Sequence, residues 1–172
     1  MIFLTVGTQG PFDRLSRAVD AWCAAGTGPE IFGQIGALSH GNYKPRHFEW
    51  VERLSPHDFD ERFAQAELIV SHAGMGSIIS ALQAGKQIVI MPRRTHLREH
   101  RNDHQVATVQ KMADRSGVHV AQDENQIAAC IEQALERIAT PSNQRIGEFA
   151  DETLIDALRT FILGKQDRAP RT

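Results

Sequence analysis

The sequence predicts an α/β protein with a mostly parallel sheet, and three observations carry that expectation. Short apolar runs rich in β-branched residues alternate along the chain with amphipathic stretches of helical period. Glycine-rich turns directly follow two of those runs, at 7–10 and at 74–76. Residues 67–92 read strand, glycine turn, helix, strand, which is the order of a βαβ unit.

Residues 2–6 (IFLTV) form the first expected strand, followed at once by the turn GTQGP. Pro11 suits the first turn of a helix, in which Phe12, Leu15, Ala18, Val19 and Trp22 recur at helical spacing. The glycines and proline of 26–29 break it. Residues 30–35 are the next strand, 37–46 a loop containing Gly41, Asn42 and Pro45, and 47–51 (HFEWV) a short strand. Ser55 as cap and Pro56 in first position open a helix with Phe59 and Phe63 one turn apart. In the central unit, 67–71 is a buried strand and 72–77 (HAGMGS) the turn. Ile78, Ile79 and Leu82 mark the helix, Gly85 stops it, and 87–91 is a strand closed by Pro92. Residues 93–101 are basic and polar with no apolar period, which predicts a loop. Asn102 or Asp103 caps a helix carrying Val106, Val109 and Met112. A short strand at 118–121 follows, then a helix capped by Asp123 with Ile127, Ile131, Leu135 and Ile138. After a linker at 140–143, an apolar stripe predicts a last helix over 146–163. The expected organisation is one domain over 1–163 and a polar, frayed tail over 164–172.

A length of 172 residues suffices for one domain with a substantial core. The composition, 41% hydrophobic and 23% charged, is that of a soluble globular protein. A net charge of −2 gives no case for nucleic-acid binding. Cys23 and Cys130 stand far apart in apolar helical contexts, outside any metal-binding spacing, and are expected to be buried thiols in a reducing compartment. The N-terminus does not resemble a signal peptide and no run is long enough to cross a bilayer. The chain is therefore expected in the cytoplasm, at a membrane only if a partner holds it there.

In open parallel sheets, ligands bind beyond the carboxyl ends of the strands. Both glycine turns lie at such ends, as does the polar segment 93–105, so three distant segments can converge on one crevice. The first N–H groups of the helix after 72–77 lack helical partners, and the helix dipole adds partial positive charge there. Gly74 and Gly76 let the backbone approach a ligand closely, and Ser77 can cap the helix or donate to an oxyanion. Such a turn suits a phosphate or diphosphate.

The strings FLTVGTQ at 3–9, PFDRL at 11–15, SHAGMGS at 71–77 and EHRNDHQ at 99–105 make the chain resemble the donor-binding half of GT-B glycosyltransferases of family 28. The likeness is strongest to small subunits of split enzymes. These are the PssE-type exopolysaccharide glycosyltransferase subunits and, less closely, the cytosolic subunit of the dolichol-linked N-acetylglucosamine transferase. The resemblance implies a Rossmann-like half of a GT-B fold and a site for a nucleotide sugar, most often a UDP-sugar. Gly74, Gly76 and Ser77 would hold the diphosphate, with Met75 in the same turn, and Gly7, Thr8 and Gln9 would line the crevice. Asn102, Asp103 and Gln105 would face the transferred sugar, while His72 and His104 would lie near the donor. Relatives often carry an acidic residue where this chain has Ser80, so Glu99 becomes a candidate for the ribose contact. The resemblance also implies an inverting, metal-independent transfer to a lipid-linked saccharide acceptor. Because a strand begins at residue 2, the acceptor site is expected on a separate, membrane-anchored subunit. The last helix is a candidate for docking onto that subunit, though it can equally pack on its own sheet. The catalytic base is left unassigned. Most of Arg93, Arg94, Arg98 and Arg101 are expected to be solvated or to attract an anionic partner, with the Arg93–Arg94 pair suited to an acidic sugar such as glucuronate.

Three other readings compete. His96, Glu99 and His100 spell H-x-x-E-H, a zinc-hydrolase pattern. That chemistry needs the motif on a regular helix, whereas here it follows Pro92 among arginines that would oppose a dication. A module that binds a nucleotide sugar without turning it over is also compatible with these residues. A dinucleotide-binding domain is disfavoured because GTQG lacks the G-x-G-x-x-G spacing.

Overall fold

The computed structural model describes residues 1–26 and 28–140. The expected last helix, the tail and the expected domain limit at 163 lie outside those residues.

Six strands form one fully parallel sheet: β1 (Ile2–Thr5), β2 (Ile31–Gln34), β3 (Glu49–Val51), β4 (Leu68–His72), β5 (Gln87–Met91) and β6 (Val118–Val120). Their spatial order is β3-β2-β1-β4-β5-β6. The helices are α1 (Asp13–Ala24), α2 (Pro56–Gln65), α3 (Met75–Gln83), α4 (His104–Met112) and α5 (Ile127–Ala139).

Side chains alternate across a strand, and β1 shows how both faces become cores. Ile2, Leu4 and Val6 pack with Leu15 and Val19 of α1 and Ile127 and Ile131 of α5. Phe3 points the other way, to Phe63 of α2, Ile78 of α3 and Val109 of α4. The central strands are buried on both sides, which explains their nearly continuous apolar sequences. Burying each such Leu, Ile or Phe contributes about 1.5–3 kcal/mol. The strand ends are thereby firm mounts for the turns that leave them.

From β1 the chain moves outward through β2 to β3, then returns to place β4 on the other side of β1. The connections from β1 and β4 therefore diverge to opposite faces of the sheet. A crevice opens between them at the carboxyl ends, as at the switch point of doubly wound sheets.

Three local differences from the sequence expectations bear on this crevice. β4 continues through His72, whose partner in β5 is Met91, so the histidine belongs to the strand and not to the turn. α1 starts at Asp13 with Phe12 as its N-cap, because the carbonyls of Gly10 and Pro11 are drawn aside to an arginine described below. The loop after Pro92 contains a single 3-10 turn, Thr95–Leu97, ended by Arg98 with φ 59°.

Candidate functional site

The crevice at the β1/β4 switch point is a cavity of about 460 Å³. Gly7, Thr8 and Gln9 line one side. His72, Gly74, Gly76 and Ser77 line a second. Gln34 and the start of α2, with Leu54, Ser55, Phe59 and Asp60, line the third.

The N-terminus of α3 opens into this space. Gly74 is its N-cap, no side chain caps it, and no acidic residue stands in its first turn. Ser77 is the third residue of the helix and so does not act as the cap. The first-turn N–H groups and the positive end of the dipole are left for an anion.

The glycines divide into two kinds. A Cβ on Gly76 would meet nothing within 4 Å, so its missing side chain keeps the cavity floor open. A Cβ on Gly74 would lie 2.3 Å from Nε2 of His72, and one on Gly7 2.5 Å from its Cε1. Gly7 also has φ +76°, which a side chain would resist. These two glycines make room for the imidazole of His72, which is clasped between the turns. Burial lowers the His72 pKa to about 4, and the charge of Arg93 pushes the same way against a backbone hydrogen bond with Thr5. The ring is neutral at pH 7, with Nδ1 3.2 Å from the Ser71 hydroxyl.

In the segment 93–105, Arg93, Glu99 and Gln105 turn their polar groups inward, while Asn102, Asp103 and His104 are exposed. Arg93, one of the pair suited by its charge to an acidic sugar, is only 2% exposed. Its two terminal nitrogens donate to the carbonyls of Val6 (3.0 Å), Gly10 (2.8 Å) and Pro11 (2.9 Å), and its guanidinium lies over the Phe12 ring. Burial lowers its pKa to about 10, opposed by Glu99, so it remains a cation at neutral pH. Held this way it braces the Gly7–Gln9 turn from behind and cannot also meet a sugar carboxylate. Arg94 donates to the Gln122 carbonyl at 2.7 Å.

Glu99 accepts from Arg14 through both oxygens, at 2.9 and 2.8 Å, and from the Arg94 N–H at 2.9 Å. Gln105 is buried, and its Oε1 accepts the Arg93 N–H at 3.0 Å. Asp103 accepts the Thr95 N–H at 3.0 Å. Asn102 donates its backbone N–H to His100 Nδ1 at 3.3 Å, and the rings of His100 and His104 stand 5.2 Å apart. None of these residues, nor Met75, which is 44% exposed, is among those lining the cavity. The H-x-x-E-H string is not on a regular helix, and its glutamate is held by Arg14, which removes the geometry a zinc site needs.

Sequence reasoning did not single out Gln34, Leu54, Phe59 or Asp60 for the site. Gln34 carried a usable signal, an amide at the carboxyl end of a buried strand. It is 7% exposed and accepts the Leu54 N–H at 2.9 Å, which ties β2 to the start of α2.

Residues 1–158 match the glycosyltransferase family 28 C-terminal domain. No curated protein sequence matches the chain. Among solved structures, the chain is similar to the calicheamicin glycosyltransferase CalG4, with a TM-score of 0.58 at 18% identity over 97% of this chain and 44% of that one. It is similar to the glycotransferase of kitacinnamycin, with a TM-score of 0.56 at 20% identity over 81% of this chain and 34% of that one. A putative UDP-N-acetylglucosamine 2-epimerase from Listeria monocytogenes gives a TM-score of 0.53 at 11% identity over 95% of this chain and 45% of that one. The chain thus spans less than half the length of each of these structures, and its sheet corresponds to one half of a GT-B fold. By the match over most of its length, the chain belongs to the glycosyltransferase family 28 C-terminal domain family.

Proposed function

We propose that this chain is the donor-binding, catalytic subunit of a two-component glycosyltransferase. In this reading it moves a sugar from a UDP-sugar to a lipid-linked acceptor in exopolysaccharide or glycan synthesis, with a membrane-anchored partner holding the acceptor. The observation that carries the donor assignment is the uncapped N-terminus of α3 facing a cavity whose floor is bared by Gly76. Family membership and a structural neighbour named for UDP-N-acetylglucosamine support a nucleotide sugar as the ligand class.

The chemistry follows from that placement. An acceptor hydroxyl attacks the anomeric carbon, the bond to the diphosphate oxygen breaks, and the configuration inverts in a single displacement. Negative charge grows on the leaving diphosphate. The first-turn N–H groups of α3 are fixed before the reaction begins, so they stabilise that charge without reorganising. A general base takes the hydroxyl proton. The neutral imidazole of His72 adds no charge beside the diphosphate and offers one ring donor or acceptor at the cavity wall. Among the described residues no helix is long and apolar enough to cross a membrane; in this reading the partner gives access to the lipid-linked acceptor.

The test is calorimetric titration with UDP and a panel of UDP-sugars, alone and with the partner subunit. Gly76→Val puts a branched side chain where a Cβ meets nothing within 4 Å, so the variant should fold. UDP affinity should fall about 100-fold or more, the loss of roughly 2.7 kcal/mol of binding. Absence of UDP binding both alone and with the partner would overturn the donor assignment.

A further inference from the structure

A second cavity, about 700 Å³, lies away from the first and shares no lining residue with it. It is bounded by Arg17 of α1 and by residues 42–47 of the loop between β2 and β3.

That loop is held in place by carboxylates on α1. Asp13 accepts the Tyr43 N–H at 3.0 Å and the Asn42 side-chain amide at 3.2 Å. Asp20, 1% exposed, accepts the Tyr43 hydroxyl and the N–H groups of Arg46 (3.0 Å) and His47 (2.8 Å). The indole of Trp50 donates to the Pro45 carbonyl at 3.1 Å.

The loop's own donors therefore engage both nearby carboxylates. Arg17, Lys44 and Arg46 are exposed, and none forms an ion pair among the described residues. Arg17 lies over the Tyr43 ring at 4.1 Å. His47 and the Asn42 amide complete the rim. Three cations without an ion pair among the described residues thus line one concavity, in a chain whose net charge is −2.

Cations on one rim repel one another, and an anion seated among them relieves that cost beyond what the two carboxylates, already engaged by the loop, supply. Two guanidinium groups and an ammonium suit phosphate oxygens, which guanidinium meets in a two-pronged fashion. We propose that this cavity is a phosphate-binding site separate from the donor cavity. The phosphate can be carried by a lipid headgroup or be free in solution, and the chemistry of recognition is the same. A lipid-borne phosphate would hold the chain against the membrane face on which the proposed acceptor lies.

The experiment uses the full chain in two arms at low salt. One is co-sedimentation with phosphatidylcholine vesicles, with and without phosphatidylglycerol. The other is calorimetric titration with inorganic phosphate. Each is repeated on the triple variant Arg17→Glu/Lys44→Glu/Arg46→Glu and on its milder counterpart with glutamine at the same three positions. The wild type should bind in at least one arm, more weakly as salt is raised. The glutamine variant should lose about fivefold per cation, on the order of 100-fold for the three.

Binding only to phosphatidylglycerol vesicles assigns the site to lipid. Binding of inorganic phosphate without vesicle binding assigns it to soluble phosphate. Failure of the wild type in both arms, or equal binding by the glutamine variant, overturns the proposal. UDP titration of the same samples keeps the two sites apart. Unchanged UDP affinity in the variants shows that their fold is intact. Absence of UDP binding by the wild type, both alone and with the partner subunit, would break the donor reading and leave this site standing.

Discussion

The turn from β4 into α3 and the segment from Arg93 to Gln105 look alike in sequence. Both leave the carboxyl end of a central strand, and both are polar enough to suggest a ligand. In the fold they use their polar groups in opposite ways. The first leaves a helix N-terminus uncapped and its floor bare at Gly76. The second turns its main polar groups inward, Arg93 to three carbonyls, Glu99 to Arg14 and Gln105 to the Arg93 backbone. The difference teaches that polarity at a strand end does not by itself mark a ligand site, because such groups can instead be engaged by partners within the chain. The second segment acts as the brace that fixes the first turn, Gly7–Gln9, at the other wall of the cavity.

Breaking the brace should have the largest effect. Arg93→Met leaves the carbonyls of Val6, Gly10 and Pro11 without their buried donor, and should cost about 3–5 kcal/mol in urea unfolding. Arg93→Lys should recover little, because one ammonium cannot span carbonyls that two guanidinium nitrogens reach together. A loss below about 1 kcal/mol for Met would mean that water replaces these bonds, and the contrast between the two segments would collapse.

The glycine walls offer a finer comparison. Gly74→Ala should destabilise by about 1–3 kcal/mol, because its Cβ strikes the His72 ring. Adding His72→Ala removes the obstacle and should relieve the clash, leaving only the cost of the missing imidazole. Gly7→Ala meets the same ring but also carries φ +76°, so His72→Ala should relieve it only in part, with about 1–2 kcal/mol of backbone strain remaining. Thermal or urea unfolding of the two double-mutant cycles measures this. Equal relief at both positions would show that the ring alone dictates glycine at Gly7. No relief at Gly74 would assign that glycine to the turn itself.

Much of this arrangement was legible in the sequence, for physical reasons. The pattern of the apolar residues located every strand and α-helix of the described region. The glycine turns directly after β1 and β4 pointed to the crevice, because in a parallel sheet only one edge holds both. Three features escaped. His72 read as part of the turn because the pairing that extends β4 to Met91 is a tertiary fact. Arg93 read as half of a pair for an acidic sugar, because its burial depends on carbonyls contributed by the β1–α1 turn, some eighty residues earlier in the chain. The third wall was missed because Gln34 and Phe59 look like strand and helix residues until β2 and α2 bring them beside the glycine turns.

The smallest expected effect on UDP affinity falls on Glu99, and it tests the contrast most directly. If the 93–105 segment braces and does not bind, Glu99→Gln weakens the pairing with Arg14 and lowers stability by about 1–3 kcal/mol. UDP affinity should then change by no more than about twofold, well under the 1.4 kcal/mol of a tenfold effect. A tenfold loss of UDP affinity in a variant that still folds would mean that Glu99 leaves Arg14 when the nucleotide enters and accepts a ribose hydroxyl. Arg14 also pairs with Glu124 at 2.8 Å, so it would keep one carboxylate after such a move. That second partner lowers the cost of releasing Glu99, and comparing Glu99→Gln with Glu99→Gln/Glu124→Gln would separate a brace from a contact that forms only with the donor bound. In a brace the second substitution adds a further loss of stability and leaves UDP affinity alone. In a donor contact Glu99 carries the whole affinity loss, and Glu124→Gln by itself weakens UDP binding by making Glu99 harder to release.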